Sequence, residues 1–508
     1  MLTTYLPSVS MLLAAALCQV SAAAATKPSR LPRSTPEAEG VDSKGVLGFV
    51  EALEQKIDAV HSFMLVRHGK VVAEGWWAPY RAEDLHIMYS VSKSFASTAV
   101  GFAAQEGLLS LNDTILSRFP ELAPEKPADR MKEMRVRDLL RMVTGHDQNP
   151  PIKDRKDGAW VKAFLETQVE HKPGTHFVYN SSGSYVLSAL VQKVSGKSLE
   201  DYLRPRLFEP LGIEPPRWGK SPEGVNLGDG GLTLRSEDLA KFGLLYLQKG
   251  MWNGKRLLSE EWVAAASSLQ TSTGGNPDSN WDAGYGYQFW RNKVTGYRAD
   301  GAFGQFSFIL PQYDAVLAMT SGTSDMHGVM NAVWEHILPA LHDGALPAAP
   351  ASVASLGAKL ESLALPVQAG EKASPRADAV SRKEYRLEPN EQGLTLASID
   401  FSGKDARVVL ADGDGKHAIT CGHGRWVRGI TDYQKRISNV FDSGQQPVAA
   451  SCAWTDEKTF AAKLCFNETP YTVTLRFELE GDKLALDVEH NLRWGETKRP
   501  RVSGQRSQ

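Results

Sequence analysis

Two pairs of short apolar runs, far apart in the chain, constrain its fold more than any other feature. Residues 63–66 and 71–74 flank a polar turn, and residues 305–310 and 315–319 flank a second turn at residues 311–314. Apolar runs of this length on either side of turn residues are typical of β-hairpins. Because the segment between the hairpins has helical periodicity, the sequence predicts an α+β domain whose antiparallel sheet joins both of its ends.

The segment between and after the hairpins contains runs whose apolar residues recur at helical spacing, at residues 134–142, 185–194, 236–247 and 326–341. Ser236, which is followed by two acidic residues, is predicted to cap the third of these helices. A run at residues 95–106 is rich in Ala and other small residues, has mixed faces, and ends at Gly107. This pattern predicts a helix buried in the centre of the domain.

The last third of the chain has a different character. Residues 345–381 are rich in Ala, Pro and Ser, which is typical of a linker. Short strand-like runs follow, at residues 395–399, 406–410, 472–479 and 484–488. A chain of 508 residues is too long for one ordinary core. We therefore expect a first domain over residues 26–344, a linker over residues 345–381, and an all-β domain over residues 382–508.

The first 25 residues are predicted to be a cleaved secretory signal. An apolar run at residues 11–20 is followed by Ser21 and four alanines, although residues 1–10 contain no Lys or Arg. The alternative is a buried N-terminal helix. Export would place the protein in the periplasm or outside the cell, where one disulfide among Cys421, Cys452 and Cys465 is plausible. The sequence does not indicate which two of them would pair.

Composition excludes several classes of partner. The chain is 42% apolar and 23% charged, with a formal net charge of -2, so nothing favours binding to nucleic acid or to an anionic membrane. No window after residue 30 has the apolar length of a membrane span. The 12 histidines show no metal-binding spacing, so we expect no metal and no cofactor. The oligomeric state cannot be inferred from the sequence.

The candidate chemistry lies in the motif Ser90-x-x-Lys93, at the start of the Ala-rich helix. A serine hydroxyl needs a nearby base to become a useful nucleophile, and residues i and i+3 share a helix face. The helix N-terminus also directs unpaired N–H groups towards developing negative charge. A Ser-x-x-Lys motif is common by chance, however, and its context has to support it.

That context resembles the class C β-lactamase-like serine hydrolases, which share a fold with the penicillin-binding proteins. The resemblance covers residues from about 40 to about 342 and is carried by LHIMYSVSKSFASTAVGFAAQEGLLSLND at residues 85–113 and by the Pro-Gly-x-x-Phe lead to Tyr179 at residues 173–181. Residues 226–250 and 299–311 and the pair Trp76-Trp77 also look like the branch that contains amide-oligomer hydrolases. The two tryptophans could line the substrate cleft or pack beneath the sheet.

The resemblance implies a role for each of several residues. Ser90 would be the nucleophile, with Lys93 and Tyr179 sharing the proton transfer, and the nearby ammonium would favour a phenolate at Tyr179. The backbone N–H groups of Ser90 and Ala302 would form the oxyanion hole. Ser181, Asp300 and Gly301 would contact the substrate.

Two positions depart from the family pattern. Ser181 stands where the family commonly has Asn, and could orient Lys93 or the substrate. Asp300 lies on the strand where the family has a Lys or His that holds a substrate carboxylate, although it could also point away from the cleft. At this position a cation that would attract the carboxylate of a β-lactam is replaced by an acidic residue that would repel it, so we expect the protein to be an inefficient β-lactamase.

The sequence therefore predicts an exported serine hydrolase that cleaves an ester or amide bond in a small molecule or short oligomer through an acyl-serine intermediate. One alternative is a peptidase acting on cell-wall or other non-standard peptides. A second is a protein that binds acyl groups or cell-wall fragments without hydrolysing them. Retention of both Lys93 and Tyr179 favours turnover.

Overall fold

The computed structural model describes residue 1 and residues 30–214, 216–434 and 444–507. Apart from Met1, the predicted signal segment lies outside these residues. The described residues form an α+β domain followed by an all-β barrel, which confirms the predicted fold class. In this part of the chain, no helix is long and apolar enough to cross a membrane.

The first domain is organised around a six-stranded antiparallel sheet. The strands of this domain are β1 (Val60–Arg67), β2 (Lys70–Trp76), β3 (His86–Ile87), β4 (Thr233–Leu234), β5 (Met251–Trp252), β6 (Lys255–Arg256), β7 (Trp290–Arg291), β8 (Tyr297–Gly301), β9 (Gln305–Leu310) and β10 (Ala315–Ser321). The sheet order is β2-β1-β10-β9-β8-β7. Both predicted hairpins are present, and β1 pairs with β10, so the two ends of the domain meet in one sheet.

Helices cover both faces of this sheet. Those up to the second domain are α1 (Ser43–Lys56), α2 (Val91–Gln105), α3 (Ile115–Arg118), α4 (Asp129–Glu133), α5 (Val136–Leu140), α6 (Trp160–Glu166), α7 (Ser181–Ser195), α8 (Leu199–Leu203), α9 (Glu209–Leu211), α10 (Ser236–Leu247), α11 (Glu260–Ser267), α12 (Met326–Ala332), α13 (Leu338–Ala340), α14 (Pro350–Glu361) and α15 (Ala377–Val380). The predicted cap of α10 is wrong by one residue, because Arg235 occupies the N-cap position.

The sheet divides the core of the first domain into two layers, since successive strand side chains point to opposite faces. Along β1, Met64 and Val66 join the core around α2, whereas Phe63 and Leu65 join the core that faces α1. Trp77 is buried in this second core, so it packs beneath the sheet and does not line a cleft. Each fully buried large apolar side chain stabilises the fold by about 1.5–3 kcal/mol.

Helix α2, which carries the candidate catalytic residue Lys93, is deeply buried. Its residues 91–103 are all buried, as the Ala-rich composition with many small residues predicts. A side chain on Gly101 would meet the ring of Trp262 at 2.6 Å, which shows how closely the neighbouring helix approaches. The small residues of α2 therefore allow neighbouring elements to pack closely against it.

The segment at residues 345–381 connects the two domains and is packed along much of its length. Helix α14 contacts α1 and β2. Beyond it, Leu365 N donates to Ala78 O of the first domain at 2.7 Å, and Glu371 N donates to Trp454 O of the barrel at 2.8 Å. The segment thus touches both domains. The domain boundaries themselves stay predictions.

The second domain is a β-barrel. Its strands are β11 (Glu384–Leu387), β12 (Leu396–Asp400), β13 (Ala406–Asp412), β14 (Gly415–His423), β15 (Val427–Thr431), β16 (Gln446–Trp454), β17 (Thr459–Cys465), β18 (Thr472–Glu480), β19 (Lys483–His490) and β20 (Val502–Arg506). Their order is β14-β13-β12-β11-β20-β19-β18-β17-β16-β15, and a further pairing between β14 and β16 closes the ring. Cys421, Cys452 and Cys465 are buried free thiols.

The barrel docks on the first domain through the turn between β17 and β18. Ile87 N donates to Glu468 O at 2.8 Å, and the Tyr80 hydroxyl donates to Thr469 O at 2.9 Å. At a second point, Arg428 forms an ion pair with Asp84. The first of these contacts lies three residues before Ser90, so the barrel reaches the edge of the candidate site.

Candidate active site

Ser90 and Lys93 meet at the start of α2. Ser90 occupies the N-cap position with helical backbone angles, and Lys93 lies in the first turn. The Lys93 Nζ atom donates to Ser90 Oγ at 2.9 Å. Ser90 is partly exposed, whereas Lys93 is 1% exposed. The contact predicted from the three-residue spacing is therefore present, between a partly exposed serine and a buried lysine.

Burial controls the charge of this amine. It lowers the pKa of Lys93 to about 8, because an ammonium group loses its hydration in the protein interior. Asp229 and Asp300 oppose this effect by favouring the charged form, and Lys153 adds to the lowering. A group with a pKa near neutrality can both accept and return a proton, which is what a general base requires.

The backbone of Asp229 orients the amine. Lys93 Nζ donates a second hydrogen bond to Asp229 O at 2.9 Å. The turn that carries this carbonyl is held by Trp218, whose Nε1 donates to Leu227 O at 2.7 Å and to Gly230 O at 2.9 Å. Sequence reasoning did not assign this role, although the Gly-rich turn lies within the segment that resembles the family.

Tyr179 lies on the other side of the amine, just before α7. Lys93 Nζ is 5.0 Å from the centroid of its ring, and the ring stacks on Trp290 at 5.5 Å with an interplanar angle of 25°. The residues that the sequence identifies as sharing proton transfer are therefore in contact. Trp290 was not predicted, because a tryptophan on a two-residue strand carries no motif.

The protonation state of Tyr179 differs from the sequence-based expectation. Burial raises the pKa of Tyr179 well above its usual range, and the carboxylates of Asp300 and Asp229 raise it further, while hydrogen bonding to Ser90 acts in the opposite direction. Burial, the largest of these effects, favours the phenol, whereas the sequence-based expectation was a phenolate stabilised by a nearby ammonium. At neutral pH Tyr179 is a phenol and can donate a proton.

The two backbone groups expected to form the oxyanion hole lie on adjacent segments. A side chain on Gly301 would lie 2.3 Å from Met88 O, so only glycine allows the end of β8 to approach the segment before Ser90 this closely. Ala302 follows, and its carbonyl accepts a hydrogen bond from Gln305 Nε2 at 3.0 Å. This contact fixes the turn after β8, which contains Ala302, next to the segment before Ser90.

The residues on either side of these donors have unusual backbone angles. Tyr89, which precedes Ser90, has φ 45°, and Phe303, which follows Ala302, has φ 65°. Left-handed backbone costs about 1–3 kcal/mol for a residue other than glycine, and it persists only where surrounding contacts impose it.

Asp300 is placed differently from what its position on the strand suggested. Its Oδ2 atom accepts hydrogen bonds from Arg298 Nε and Trp281 Nε1, both at 2.8 Å, and Arg298 is fully buried. Burial raises the pKa of Asp300, and the Arg298 guanidinium opposes the rise. Asp300 is therefore not an uncompensated acid facing the substrate. Arg298, two residues earlier, balances its charge.

Ser181 does not take the role of orienting Lys93. It is the first residue of α7 and is half-buried, while its neighbour Asn180 caps the helix through a 2.7 Å hydrogen bond from Gly183 N. Among the described residues, the Lys93 amine donates only to the two acceptors given above. A direct contact between Ser181 and the substrate stays a prediction.

Lys153 brings a further charge to the site that no sequence motif indicated. Its side chain is about half exposed, and its Nζ atom lies 2.8 Å from Asp229 Oδ2. The other oxygen, Asp229 Oδ1, is buried and has no hydrogen-bond partner among the described residues. An ion pair with one partly exposed member thus lies beside the Lys93 amine.

One group of side chains could hold a metal ion, although the sequence shows no such spacing. Asp147, His171 and His176 place one ligand atom each within 4.8 Å of one another. His171 Nε2 lies 2.5 Å from Asp147 Oδ1, so two of the three side chains are already hydrogen-bonded to each other. The 24-residue gap between Asp147 and His171 explains why the group was not found from the sequence. The group is exposed to partly buried, whereas the Lys93 amine is buried.

The fold and the site together define a protein of the β-lactamase and transpeptidase class, with a Ser-x-x-Lys helix start beside an antiparallel sheet. Residues 49–342 match the family model described as Beta-lactamase, and the chain belongs to this family of hydrolases.

Individual relatives are more distant. The chain is 26% identical over 337 residues to a 6-aminohexanoate-dimer hydrolase of Paenarthrobacter ureafaciens, covering 60% of this chain and 85% of that protein. It is 26% identical over 259 residues to penicillin-binding protein 4 of Amycolatopsis lactamdurans, covering 43% of this chain and 67% of the relative. A solved structure titled "Putative 6-aminohexanoate-dimer hydrolase from Bacillus anthracis" superimposes with a TM-score of 0.51 at 21% identity, covering 62% of this chain and 89% of its own, which supports the fold.

Proposed function

We propose that this protein is an exported serine hydrolase that cleaves ester or amide bonds through an acyl-serine intermediate on Ser90. The contact that carries the proposal is the 2.9 Å hydrogen bond between the hydroxyl of the partly exposed Ser90 and the buried Lys93 amine, whose pKa is about 8. Export to the periplasm or medium rests on residues 1–25. Cell fractionation, with N-terminal sequencing of the mature protein, tests it.

In the proposed reaction, the neutral Lys93 amine accepts the Ser90 proton as Oγ bonds to the substrate carbonyl carbon. The carbonyl electron pair moves onto oxygen, and the N–H groups of Ser90 and Ala302 stabilise that oxyanion. When the carbonyl re-forms, the bond to the leaving alcohol or amine breaks. The Tyr179 phenol gives the leaving group its proton and regains one from the Lys93 ammonium. Water then repeats the sequence on the acyl-enzyme and releases the acid.

Replacing Tyr179 by Phe should lower kcat by roughly 10²–10⁴-fold, because the leaving group loses its proton donor. The loss should be greater for amides than for aryl esters, since a phenolate leaves without protonation whereas an amine does not. The measurement compares an anilide with the matched phenyl ester on both proteins. If Tyr179→Phe cleaved both the anilide and the ester at nearly the wild-type rate, Tyr179 would have only a packing role.

The charges around the nucleophile favour substrates without a carboxylate beside the reacting carbonyl. Asp229 and Asp300 both influence Lys93, whereas Arg298 is buried against Asp300 and Lys153 is paired with Asp229. A β-lactam antibiotic would bring its carboxylate towards these groups, where the described cations Arg298 and Lys153 already have carboxylate partners. We expect kcat/KM for a chromogenic cephalosporin to be about 30- to 1000-fold below that for a neutral aryl ester.

A panel of neutral aryl esters, linear ω-amino-acid dimers, D-amino-acid peptides and a cephalosporin would test this expectation. The amide dimers are included because of the 6-aminohexanoate-dimer hydrolase relative. A matched Lys153→Met variant shows whether the half-exposed cation assists acidic substrates. Efficient cephalosporin turnover by the wild type would overturn the expected selectivity.

The two alternatives predict different results from the same panel. A cell-wall peptidase, which the relationship to a penicillin-binding protein supports, would prefer the D-amino-acid peptides. A non-hydrolysing binder would be acylated once and release no further product. The chemistry of acyl transfer is shared by all three, so the distinction lies in which acyl group enters and how quickly water removes it.

A further inference from the structure

The edge of the candidate site contains an aromatic cluster to which both domains contribute. Tyr89 and Phe303 of the first domain pack with Tyr471 and Leu492 of the barrel, and all four are buried. The Tyr89 ring contacts the Phe303 ring edge-on at 5.5 Å, and Phe303 contacts Tyr471 at 5.9 Å. The hydroxyl of Tyr89 donates to that of Tyr471 at 2.8 Å.

This cluster contains both residues with left-handed backbone that flank the oxyanion donors. Tyr89 directly precedes the N–H group of Ser90, and Phe303 directly follows Ala302. Their strained conformations need surrounding contacts to persist. The Phe303 carbonyl accepts a hydrogen bond from Ser321 Oγ at 2.8 Å. The Tyr471 side chain contacts both strained residues.

Tyr471 is itself firmly held within the barrel. Its backbone N–H donates to Thr469 Oγ1 at 3.1 Å, and its carbonyl accepts from Phe466 N at 3.1 Å. The next residue is tied to Asn491, whose Nδ2 also donates to Gly322 O of the first domain at 3.3 Å. A hydrogen-bonded turn of the barrel therefore holds the Tyr471 ring and hydroxyl in contact with Tyr89 and Phe303.

We propose that Tyr471 is a positioning residue of the active site, through which the barrel holds the two oxyanion donors at their catalytic separation by bracing Tyr89 and Phe303. The barrel is then part of the catalytic unit and not a separate appendage. The inference rests on the proposed function, because it assigns a role to the oxyanion hole of the acyl-serine reaction.

Substitutions in the full-length protein test the role. Tyr471→Ala should lower kcat about 100-fold with KM changed less than about threefold, because misplacing donors affects the transition state more than the bound substrate. Tyr471→Phe, which keeps the ring and loses the hydroxyl, should retain about a tenth of wild-type kcat. The affinity of a phenylboronic acid, whose tetrahedral adduct on Ser90 occupies the oxyanion hole, should fall in parallel with kcat.

Arg428→Met provides the matched control. It removes the ion pair with Asp84 at the same domain interface but touches neither oxyanion donor. We expect its kcat and boronate affinity to stay within about twofold of wild type. An equal loss in Arg428→Met and Tyr471→Ala would show that the effect comes from docking in general, and would overturn the positioning role.

A double-mutant cycle keeps the test decisive if Tyr471→Ala does not fold. Tyr89→Phe removes the same hydrogen bond from the other side, so Tyr89→Phe combined with Tyr471→Phe should be no less active than Tyr471→Phe alone. Unchanged boronate affinity in Tyr471→Phe overturns the inference. If instead Ser90→Ala retains turnover, the proposed function fails, which is a separate result.

Discussion

Replacing Ser90 by Ala should reduce kcat/KM more than about 10⁴-fold and abolish labelling by a fluorophosphonate. Removing the nucleophile of an acyl-serine enzyme leaves only the catalysis that comes from binding and from the oxyanion hole. The expected loss is large because no other described hydroxyl receives a hydrogen bond from Lys93. Turnover of the best ester from the panel and intact-protein mass after labelling are the measurements.

A serine on the same helix gives the matched control for this experiment. Ser97 is buried seven residues along α2, and its hydroxyl donates to Tyr287 O at 2.7 Å. Ser97→Ala should keep kcat/KM within about threefold and should still be labelled once. The proposed mechanism would be contradicted if Ser90→Ala kept more than about a tenth of wild-type turnover and still gained the mass of one label, as the wild type does.

Much of the fold could be predicted because its main features are local patterns. The two hairpins are visible as apolar runs around turns, and the small residues of α2 predicted its burial. The end of the helical run at residues 326–341 was predicted less well, because a π-helical segment, Val333–Ile337, interrupts it before Pro339. The packing of residues 345–381 was also missed, since a linker composition does not show which surface will receive it.

The candidate site also contains residues that could be predicted from local patterns and residues that could not. Ser90, Lys93 and Tyr179 lie in recognisable motifs, so their proximity could be expected. The Asp229 carbonyl, the Arg298 partner of Asp300 and the Tyr471 contact could not, because each depends on chain segments that are brought together only by the tertiary fold. Charge states follow burial, and burial of Tyr179 cannot be read from its motif.

Replacing Lys93 by Met should lower kcat/KM by about 10³-fold or more, because the base is lost and Ser90 Oγ and the Asp229 carbonyl both lose their partner. Lys93→Arg should be equally inactive, since a guanidinium stays protonated and cannot accept the proton. Lys241→Met is the matched control: Lys241 is also buried, pairs with Asp238, and is remote from Ser90 in the hydrogen-bond network. Its variant should keep wild-type kcat/KM.

The pH profile provides the second part of this test. Only the neutral amine accepts a proton, so wild-type kcat/KM should rise about tenfold per pH unit below pH 8 and level off above it, where Lys93 is deprotonated.

The protonation of Lys93 also affects the stability of the fold. Because the folded pKa lies below the unfolded value of 10.5, the unfolded chain holds an extra proton between about pH 8 and 10.5, and the free energy of unfolding should rise with pH across that window. Lys93→Met should lack both the activity limb near pH 8 and this contribution to unfolding, whereas Lys241→Met should keep the activity limb. A limb near pH 8 that survives in Lys93→Met would assign the base to another residue.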